Sequence, residues 1–345
     1  MPDLPGADKS ANDAMRLRGN FYNVVNRTVF GLVGMLFQKP ALIKFPKRIE
    51  DLLKDITFTS VSLEMFSFTS AIETFLTGRY GVLVDMPKDT PRPYLVGYTA
   101  ECIISWSVER YAGDGQLTQV VLAETYEETD PKDEFVQIEM TQYRVLQLRD
   151  VYTQQLYRKN EKSEFAPYED EIVPMRRGVP LTFIPFVFLG PLHVTSELVK
   201  PPLEDMADVN LGHWRNSCDY EQGLHIVSLP TPWAAGMKAK GPTEEALNIG
   251  PSVVWELDAN GTCGMLEYAG AGMKEIASAM EEKKQQMAAL GAQLLESPPR
   301  VSETATAVAM RHSGQHATLR TLAIAMGQGL SMALQVVAWW LDTAA

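Results

Sequence analysis

Apolar residues recur every three or four positions in two segments near the middle of the chain, residues 201–225 and 272–295. This spacing predicts two helices, and Pro201-Pro202 suits the start of the first one. At 1.5 Å per residue each helix would span roughly 33–36 Å. Because two such helices have only a narrow core of their own, we expect them to pack against something outside their own chain.

Residues 226–271, between the two helices, have prolines at 230 and 232 and a strand-like run at 252–257. A second strand-like run follows at 263–268, with Asn260-Gly261 between the two runs. An Asn-Gly pair in that position indicates a β-hairpin turn. The residues predicted to pack the helices are Met206, Trp214, Met273, Ile276, Met280, Met287 and Leu294.

The chain on either side of this central part alternates helical and strand-like patterns. Helices are predicted at 13–37, 49–56 and 62–77, and a short buried strand at 82–85. A turn of helix leading into a strand is expected at 100–106. From about residue 118 to 189 the apolar period changes to two, which predicts an antiparallel meander. One long helix is predicted over 303–341, so the fold class is α+β.

Composition narrows the possible functions. The chain has 345 residues, 46% hydrophobic and 21% charged, which fits two domains or one domain with a projection. Its net charge of −12 argues against tight wrapping of nucleic acid but not against a surface past which DNA slides. Cys102, Cys218 and Cys263 are odd in number and widely spaced, which indicates reduced thiols in a cytosolic protein.

Residues 322–341 are apolar and long enough to span a membrane. Gln328, Ser331 and Gln335 lie on one side of that predicted helix and leave a wide apolar face. This pattern favours a helix covered by neighbouring protein over a membrane span.

Motifs for chemistry are sparse. The sequence contains no phosphate-binding glycine loop, no G-x-S-x-G and no H-E-x-x-H. His312 and His316 have metal-ligand spacing on a helix, but zinc needs further ligands that this motif does not supply. Acidic clusters at 127–130 and 169–171 lie in predicted turns and suit solvated loops. No catalytic residue, cofactor site or metal site is therefore predicted, and the chain is not expected to be an enzyme.

A series of segments resembles the portal proteins of tailed bacteriophages, in particular a portal-like family of podophage-type genomes. The series covers nearly the whole chain in the expected order. It includes RGNFYNVVNRTVFGLVG at 18–34, GRYGVLVDMP at 78–87 and KKQQMAALGAQLL at 283–295. Its other members are residues 38–40, 92–94, 100–106, 184–187 and 201–220.

The resemblance implies a ring, usually of twelve subunits, at one capsid vertex, through which DNA enters during packaging and leaves at infection. In the portal fold, residues 1–200 would form an α/β wing with the N-terminal helices and the meander. Residues 201–225 and 272–295 would be the stem helices and 226–271 the β-rich clip. Residues 296–303 would be the tunnel loop, and 304–345 a helix returning to the wing. Portals also carry a helical crown, which is expected here to be short or absent.

The resemblance also implies roles for particular residues and partners. The partners would be other copies of the chain, duplex DNA in the channel, the terminase motor, the head–tail adaptor and the major capsid protein, without a membrane. The chain would reside in the virion, and in the host cytoplasm during assembly. Candidates facing the stem lumen are Glu281, Glu282, Lys283 and Lys284; those of the tunnel loop are Glu296, Arg300 and Glu303; those of the clip interface are Trp233, Lys238, Lys240 and Trp255.

Two other function classes remain open from the sequence. A soluble hydrolase or nuclease would need an active site that no motif reveals, and it would be a monomer with a pocket. A membrane pore would use residues 322–341 and would need detergent for solubility.

Overall fold

A computed structural model describes residues 6, 8–87, 90, 92–111, 114–160, 162–228, 231–237, 257–266, 270–291 and 305–341. The chain divides into two compact units. One unit, here called the helical unit, comprises residues 1–25 and 206–293; the other, here called the body, comprises residues 26–205 and 294–345. The first 25 residues therefore group with the central helices, although the sequence placed them with the wing.

Helices and strands are mixed in the chain, as the α+β prediction requires. The α-helices are α1 (Lys9–Arg18), α2 (Val24–Leu36), α3 (Leu63–Thr77), α4 (Glu204–Val227), α5 (Ala271–Ala289) and α6 (Ala305–Trp340). Short 3-10 helices occupy Lys47–Lys54 and Ala100–Cys102. The strands are β1 (Tyr80–Asp85), β2 (Tyr94–Thr99), β3 (Ile103–Tyr111), β4 (Asp114–Asp130), β5 (Asp133–Leu148), β6 (Tyr152–Lys159), β7 (Phe165–Ile172), β8 (Met175–Arg176), β9 (Val179–Pro180), β10 (Phe186–Leu189), β11 (Thr231–Met237) and β12 (Leu257–Leu266).

The body contains two main antiparallel sheets. Strands β3 to β7 pair in sequence order, which confirms the predicted meander up to residue 172. Its predicted last part is wrong, because Phe186–Leu189 pairs with β1 in the other sheet. Strand β1 lies between β10 and β2 in a second, three-stranded sheet. Residues 80–84 of β1 are buried, as expected for a central strand with both faces covered.

Helix α3 leads directly into β1 through well-defined ends. The Ser62 hydroxyl accepts a hydrogen bond from the backbone N–H of Met65 at 3.3 Å, an N-cap contact. Gly78 ends the helix in the left-handed conformation at φ 75° and donates its N–H to the Thr74 carbonyl. Glycine suits this position because it has no Cβ to clash. The helix predicted over 62–77 thus agrees with the observed range to within one residue.

Helix α6 is long and apolar enough over Leu319–Trp340 to cross a membrane by length and composition. In the structure this helix packs against β1, β10 and α3 of the body. Its Leu322, Ala325, Ala333 and Val337 are buried there, and Gly329 approaches the Leu189 side chain closely. These contacts are those of a core helix of the body.

The predicted helix over 13–37 is wrong in one respect, because the structure breaks it between Arg18 and Val24. The Asn20 N–H donates to the Ser217 hydroxyl at 2.7 Å, and the Val24 N–H donates to the Asn210 amide oxygen at 3.1 Å. These side chains of α4 satisfy backbone groups that a continuous helix would use internally. Tertiary contacts with α4 therefore replace the local helical pattern.

The predicted hairpin turn at Asn260-Gly261 is also wrong. Both residues lie inside β12, which pairs with β11 instead of folding back at that point. Ala235 faces Thr262 while Met237 faces Leu257, so residues 258–261 are extra residues opposite Gly236. Here Asn-Gly lies in a bulge of the strand. A bulge, like a hairpin turn, needs irregular backbone, which Asn and Gly adopt readily.

A polar network joins the two sheets of the body. The Glu124 carboxylate on β4 accepts hydrogen bonds from Arg144 Nε at 2.6 Å, Arg144 Nη2 at 3.2 Å, the Tyr98 hydroxyl at 2.7 Å and Gln142 Nε2 at 2.8 Å. Tyr98 belongs to β2 of the other sheet. Arg144 Nη1 also donates to Gln154, whose amide donates to Asp85 on β1. The network therefore fixes one sheet against the other.

The pKa values of the two carboxyl groups in this network, Glu124 and Asp85, are shifted in opposite directions. Burial alone would raise the pKa of Glu124, but hydrogen bonding and attraction from Arg144, together with the other donors, lower that pKa overall. Burial is the main reason that the pKa of Asp85 is raised. The paired carboxylate is thus held ionised, while the carboxylate beside it is held closer to its neutral form.

We expect Arg144→Met to destabilise the body by about 3 kcal/mol at pH 7, because it leaves the Glu124 charge without its main partner. The lowered pKa of Glu124 stabilises the fold above its unfolded value of roughly 4.3, and this stabilisation is lost as pH falls through the lowered folded pKa. The difference between wild type and variant should therefore shrink towards pH 3. Denaturant unfolding at both pH values measures it.

The matched control is Arg149→Met, since Arg149 is an exposed residue just beyond the same strand β5. It should leave stability within about 0.5 kcal/mol of wild type at both pH values. Equal losses in the two variants, or a loss that does not depend on pH, would contradict this account of the network.

Candidate functional site

The helical unit is built around an antiparallel pair, α4 and α5. Gly223 of α4 lies against Met273, Gly212 against Lys283, and Met206 near Gly291. These three contacts run in opposite directions along the two helices, so the pair is in register over most of its length. Gly212 and Gly223 are three helical turns apart and share one face, where the missing side chains leave room for the side chains of Lys283 and Met273.

The interior of the helical unit is small and partly polar. Its buried residues, among those that the structure describes, are Asn12, Met15, Val24, Met206, Asn210, His213, Ser217, Cys218 and Met287. Arg18 also donates to Gln222 at 2.8 Å, and the Tyr22 ring lies 6.0 Å from the His213 ring. The N-terminal segment is therefore fastened along α4 mainly by directional polar contacts.

His213 and Cys218 are the buried titratable groups of this interior among the described residues. Burial lowers the pKa of His213, and the positive charges of Lys284 and Lys283 lower it further, while Glu281 opposes them. The imidazole is therefore expected to be neutral at pH 7.

The predicted packing residues fall into two groups. Met206 and Met287 are each only 1% exposed, Met273 contacts Gly223, and Ile276, Met280 and Trp214 are half-buried. Their place in the apolar stripe of α5 also predicts that Met280 and Met287 pack between neighbouring copies. Met287 is not available for that contact, because its own chain already covers it. Leu294 lies outside the described residues.

The predicted lumen charges do not share one environment. Glu281, Glu282 and Lys284 are exposed, and Lys284 pairs with Glu281 at 3.3 Å, the spacing predicted for a solvated helix face. Lys283 is half-buried, because its aliphatic part lies beside Gly212 of α4. Consecutive helical positions lie about 100° apart around the axis, so these four side chains cannot all face one channel.

The strand pair β11–β12 carries exposed apolar side chains. Trp233, Met265 and Leu266 are all exposed, and the Trp233 indole lies over Gly264 of the opposite strand. Of the clip candidates, Lys238, Lys240 and Trp255 lie outside the described residues. So do Glu296, Arg300 and Glu303 of the predicted tunnel loop.

The described part of the chain holds no group of three or more His, Cys, Asp or Glu side chains placed to bind a metal ion. The side chains of His312 and His316 are not among those described. The polar groups of the buried cluster around Glu124 and Arg144 form hydrogen bonds with one another and connect the two sheets. This cluster fits a structural role better than a reactive one.

Sequence reasoning missed two features of this site. One is the pair of glycines, Gly212 and Gly223, whose spacing of eleven residues places them on the same face of a helix. The other is the fastening of residues 18–24 to α4, which no local pattern reveals.

Comparison with known proteins gives one family-model match, over less than half of the chain. Residues 202–341 match a family model described as a domain of unknown function, DUF4055. No curated protein matches the sequence.

Two solved structures are similar over nearly the whole chain. A chain of the virion of a native gene transfer agent particle has 12% identity and a TM-score of 0.47, covering 97% of this chain and 83% of that one. A chain from the neck of an empty gene transfer agent particle has 14% identity and a TM-score of 0.45, covering 99% and 83%. Similarity of this degree is too distant to assign a function.

We expect Gly223→Leu to destabilise the helical unit by about 1–3 kcal/mol, because the new side chain would overlap Met273 and force the helices apart. This cost exceeds the gain of about 1 kcal/mol from better helix propensity. Combining it with Met273→Ala should restore part of the loss. Thermal unfolding of the single and double variants measures both effects.

Gly34→Leu in α2 is the control, because nothing lies within 4 Å of the position where its Cβ would be placed. It should be neutral or stabilising. A loss of stability as large as that of Gly223→Leu would show that leucine itself, and not the contact with Met273, is responsible.

Proposed function

We propose that the chain is a portal protein that forms a ring at one capsid vertex of a phage-like particle. In this proposal the ring is the channel for DNA packaging and ejection, and it is where the terminase motor and the head–tail adaptor dock. Twelve copies are expected from the resemblance of the ordered sequence segments to the portal family.

One observation carries the proposal: the helical unit exposes many large apolar side chains around a narrow interior. Apolar side chains that form a contiguous exposed patch mark a binding surface, and in this proposal these side chains do so. They are Leu17, Phe21, Tyr22, Leu211, Leu224, Ile226, Val227, Trp233, Met265, Leu266 and Leu290.

A ring of copies would cover such surfaces on both sides of every subunit. Ring closure uses heterologous contacts, in which two different faces of each subunit meet. The antiparallel pair α4–α5 offers two faces along its length, and that is the geometry expected for the stem of a portal. In this proposal β11–β12 belongs to the clip, and residues 296–303 form the tunnel loop.

Charge also supports a channel more than a clamp for DNA. The net charge of −12 disfavours tight phosphate contacts, which would slow the passage of DNA. Exposed Glu281 and Glu282 on α5 would contribute to a channel wall of that sign. Because the sequence has no nucleotide-binding motif, a separate ATPase would supply the work of translocation.

The purified chain should form large closed rings that negative-stain microscopy shows as particles with a central hole. Leu211→Glu should reduce ring formation strongly, because Leu211 is 42% exposed in the single chain and would be covered by a neighbour. The stability of the single chain should hardly change. Sedimentation velocity gives the fraction assembled.

Gln285→Glu on α5 is the matched control, since it adds one negative charge at an exposed polar position. It should assemble like wild type. Only monomers or dimers of the wild-type chain at high concentration would refute the ring, and normal rings of Leu211→Glu would remove that residue from the interface.

The tunnel-loop assignment predicts that Arg300→Glu alters DNA retention while rings still form. A positive side chain at the narrowest point would contact phosphate, and its reversal would repel it. Packaged DNA per particle is the readout, and unchanged packaging and retention would dismiss the assignment.

A further inference from the structure

The hairpin formed by β4 and β5 extends well beyond the covered part of its sheet. Buried positions on β5 begin at Gln142, whereas residues 133–139 are all exposed. On the opposite strand Glu127, Glu128 and Thr129 are exposed as well. Residues 127–139, here called the distal hairpin, are therefore uncovered on both faces.

The charges of the distal hairpin are arranged unfavourably for an isolated structure. Glu127 lies directly opposite Glu139, and Asp130 directly opposite Asp133. Like charges facing each other across two strands are destabilising. Lys132 is the one basic residue in the segment, which also contains Glu128 and Glu134. A cationic partner would relieve this repulsion.

The same hairpin presents a large apolar side chain. Phe135 is 87% exposed, among the most exposed apolar residues of the described chain. A phenyl ring held on a β-hairpin in this way is suited to insertion into an apolar cavity.

A matching surface lies elsewhere on the body. A groove between α3, α6 and the segment after α2 holds a cavity of about 300 Å³, lined among others by Leu36, Phe37, Ile43, Leu63, Met326 and Leu330. An adjoining cavity of about 300 Å³ shares Ile43, Leu63 and Leu330.

The charge at the edge of this groove is complementary to the hairpin. Lys39 and Lys44 line it, with Glu64 as the acidic residue among the lining side chains. Residues 37–48 carry Lys39, Lys44, Lys47 and Arg48 and no acidic residue. Leu42, in the same segment, is 90% exposed.

We propose that the distal hairpin of one copy inserts Phe135 into the groove of a second copy, with its carboxylates beside Lys39 and Lys44. The two surfaces differ, so the contact is heterologous and can continue from copy to copy around a ring. The inference deepens the proposed function and rests on it for the closed geometry, but the contact itself can be tested separately.

Crosslinking between two different variants tests the contact directly. Gln137→Cys is on the same face of β5 as Phe135, and Ala41→Cys is in the groove; both are exposed. Each is made in full-length chain carrying Cys263→Ser, because Cys263 is an exposed native thiol. Mixing the two chains under mild oxidation should give a disulfide-linked heterodimer, which can form only between copies.

Affinity provides the second measurement. Phe135→Ala should weaken association of the full chain by about tenfold or more. Leu198→Ala, at an apolar residue of similar exposure in a loop of the body, should leave association unchanged. Glu139→Lys, on the same face of β5 as Phe135, should also weaken association, and combining it with Lys44→Glu should recover at least part of the loss.

The outcomes separate this inference from the proposed ring. If wild-type rings form, Phe135→Ala assembles normally and no heterodimer crosslink appears, the hairpin contact is refuted and the ring stands. If the crosslink appears and Phe135→Ala weakens association but no closed ring is seen, the contact stands and the portal proposal fails. If neither a ring nor a crosslink appears, both fail.

Discussion

The narrow interior of the helical unit is the constraint on which the functional argument depends. Five of its nine buried residues in the described chain are apolar or thiol side chains, Met15, Val24, Met206, Cys218 and Met287. The remaining four are polar and are used to hold neighbouring backbone or to fill space. So small a core gives limited stabilisation through apolar burial. In the proposed ring, neighbouring copies would supply further stabilisation.

The body differs from the helical unit, because its two sheets are held in one position relative to each other by polar contacts. Apolar packing alone tolerates small shifts between layers, whereas the bidentate pair of Arg144 and Glu124 requires one geometry. Tyr98 and Gln154 extend this pairing from one sheet to the other. A body held in this way is suited to present surfaces in fixed positions to identical copies.

Local periodicity predicted most of the fold, because α3, α4, α6 and the meander each bury one regular face. It failed at Gly19 to Asn23, where side chains of α4 satisfy backbone groups, and at Asn260-Gly261, where pairing with a distant strand decides the conformation. The two-helix site was visible as a repeat of apolar residues. The sequence pattern does not show which of these apolar residues is covered by its own chain, as Met287 is, because that depends on tertiary packing.

The division of the chain has a mechanical consequence. The backbone passes between the helical unit and the body three times, near residues 25, 205 and 293. A force applied to one unit is therefore shared among three covalent connections, and one of them is the N-terminal segment fastened by Asn210 and Ser217. Cleavage of the backbone at one of these crossings would still leave the two units covalently joined through the other two.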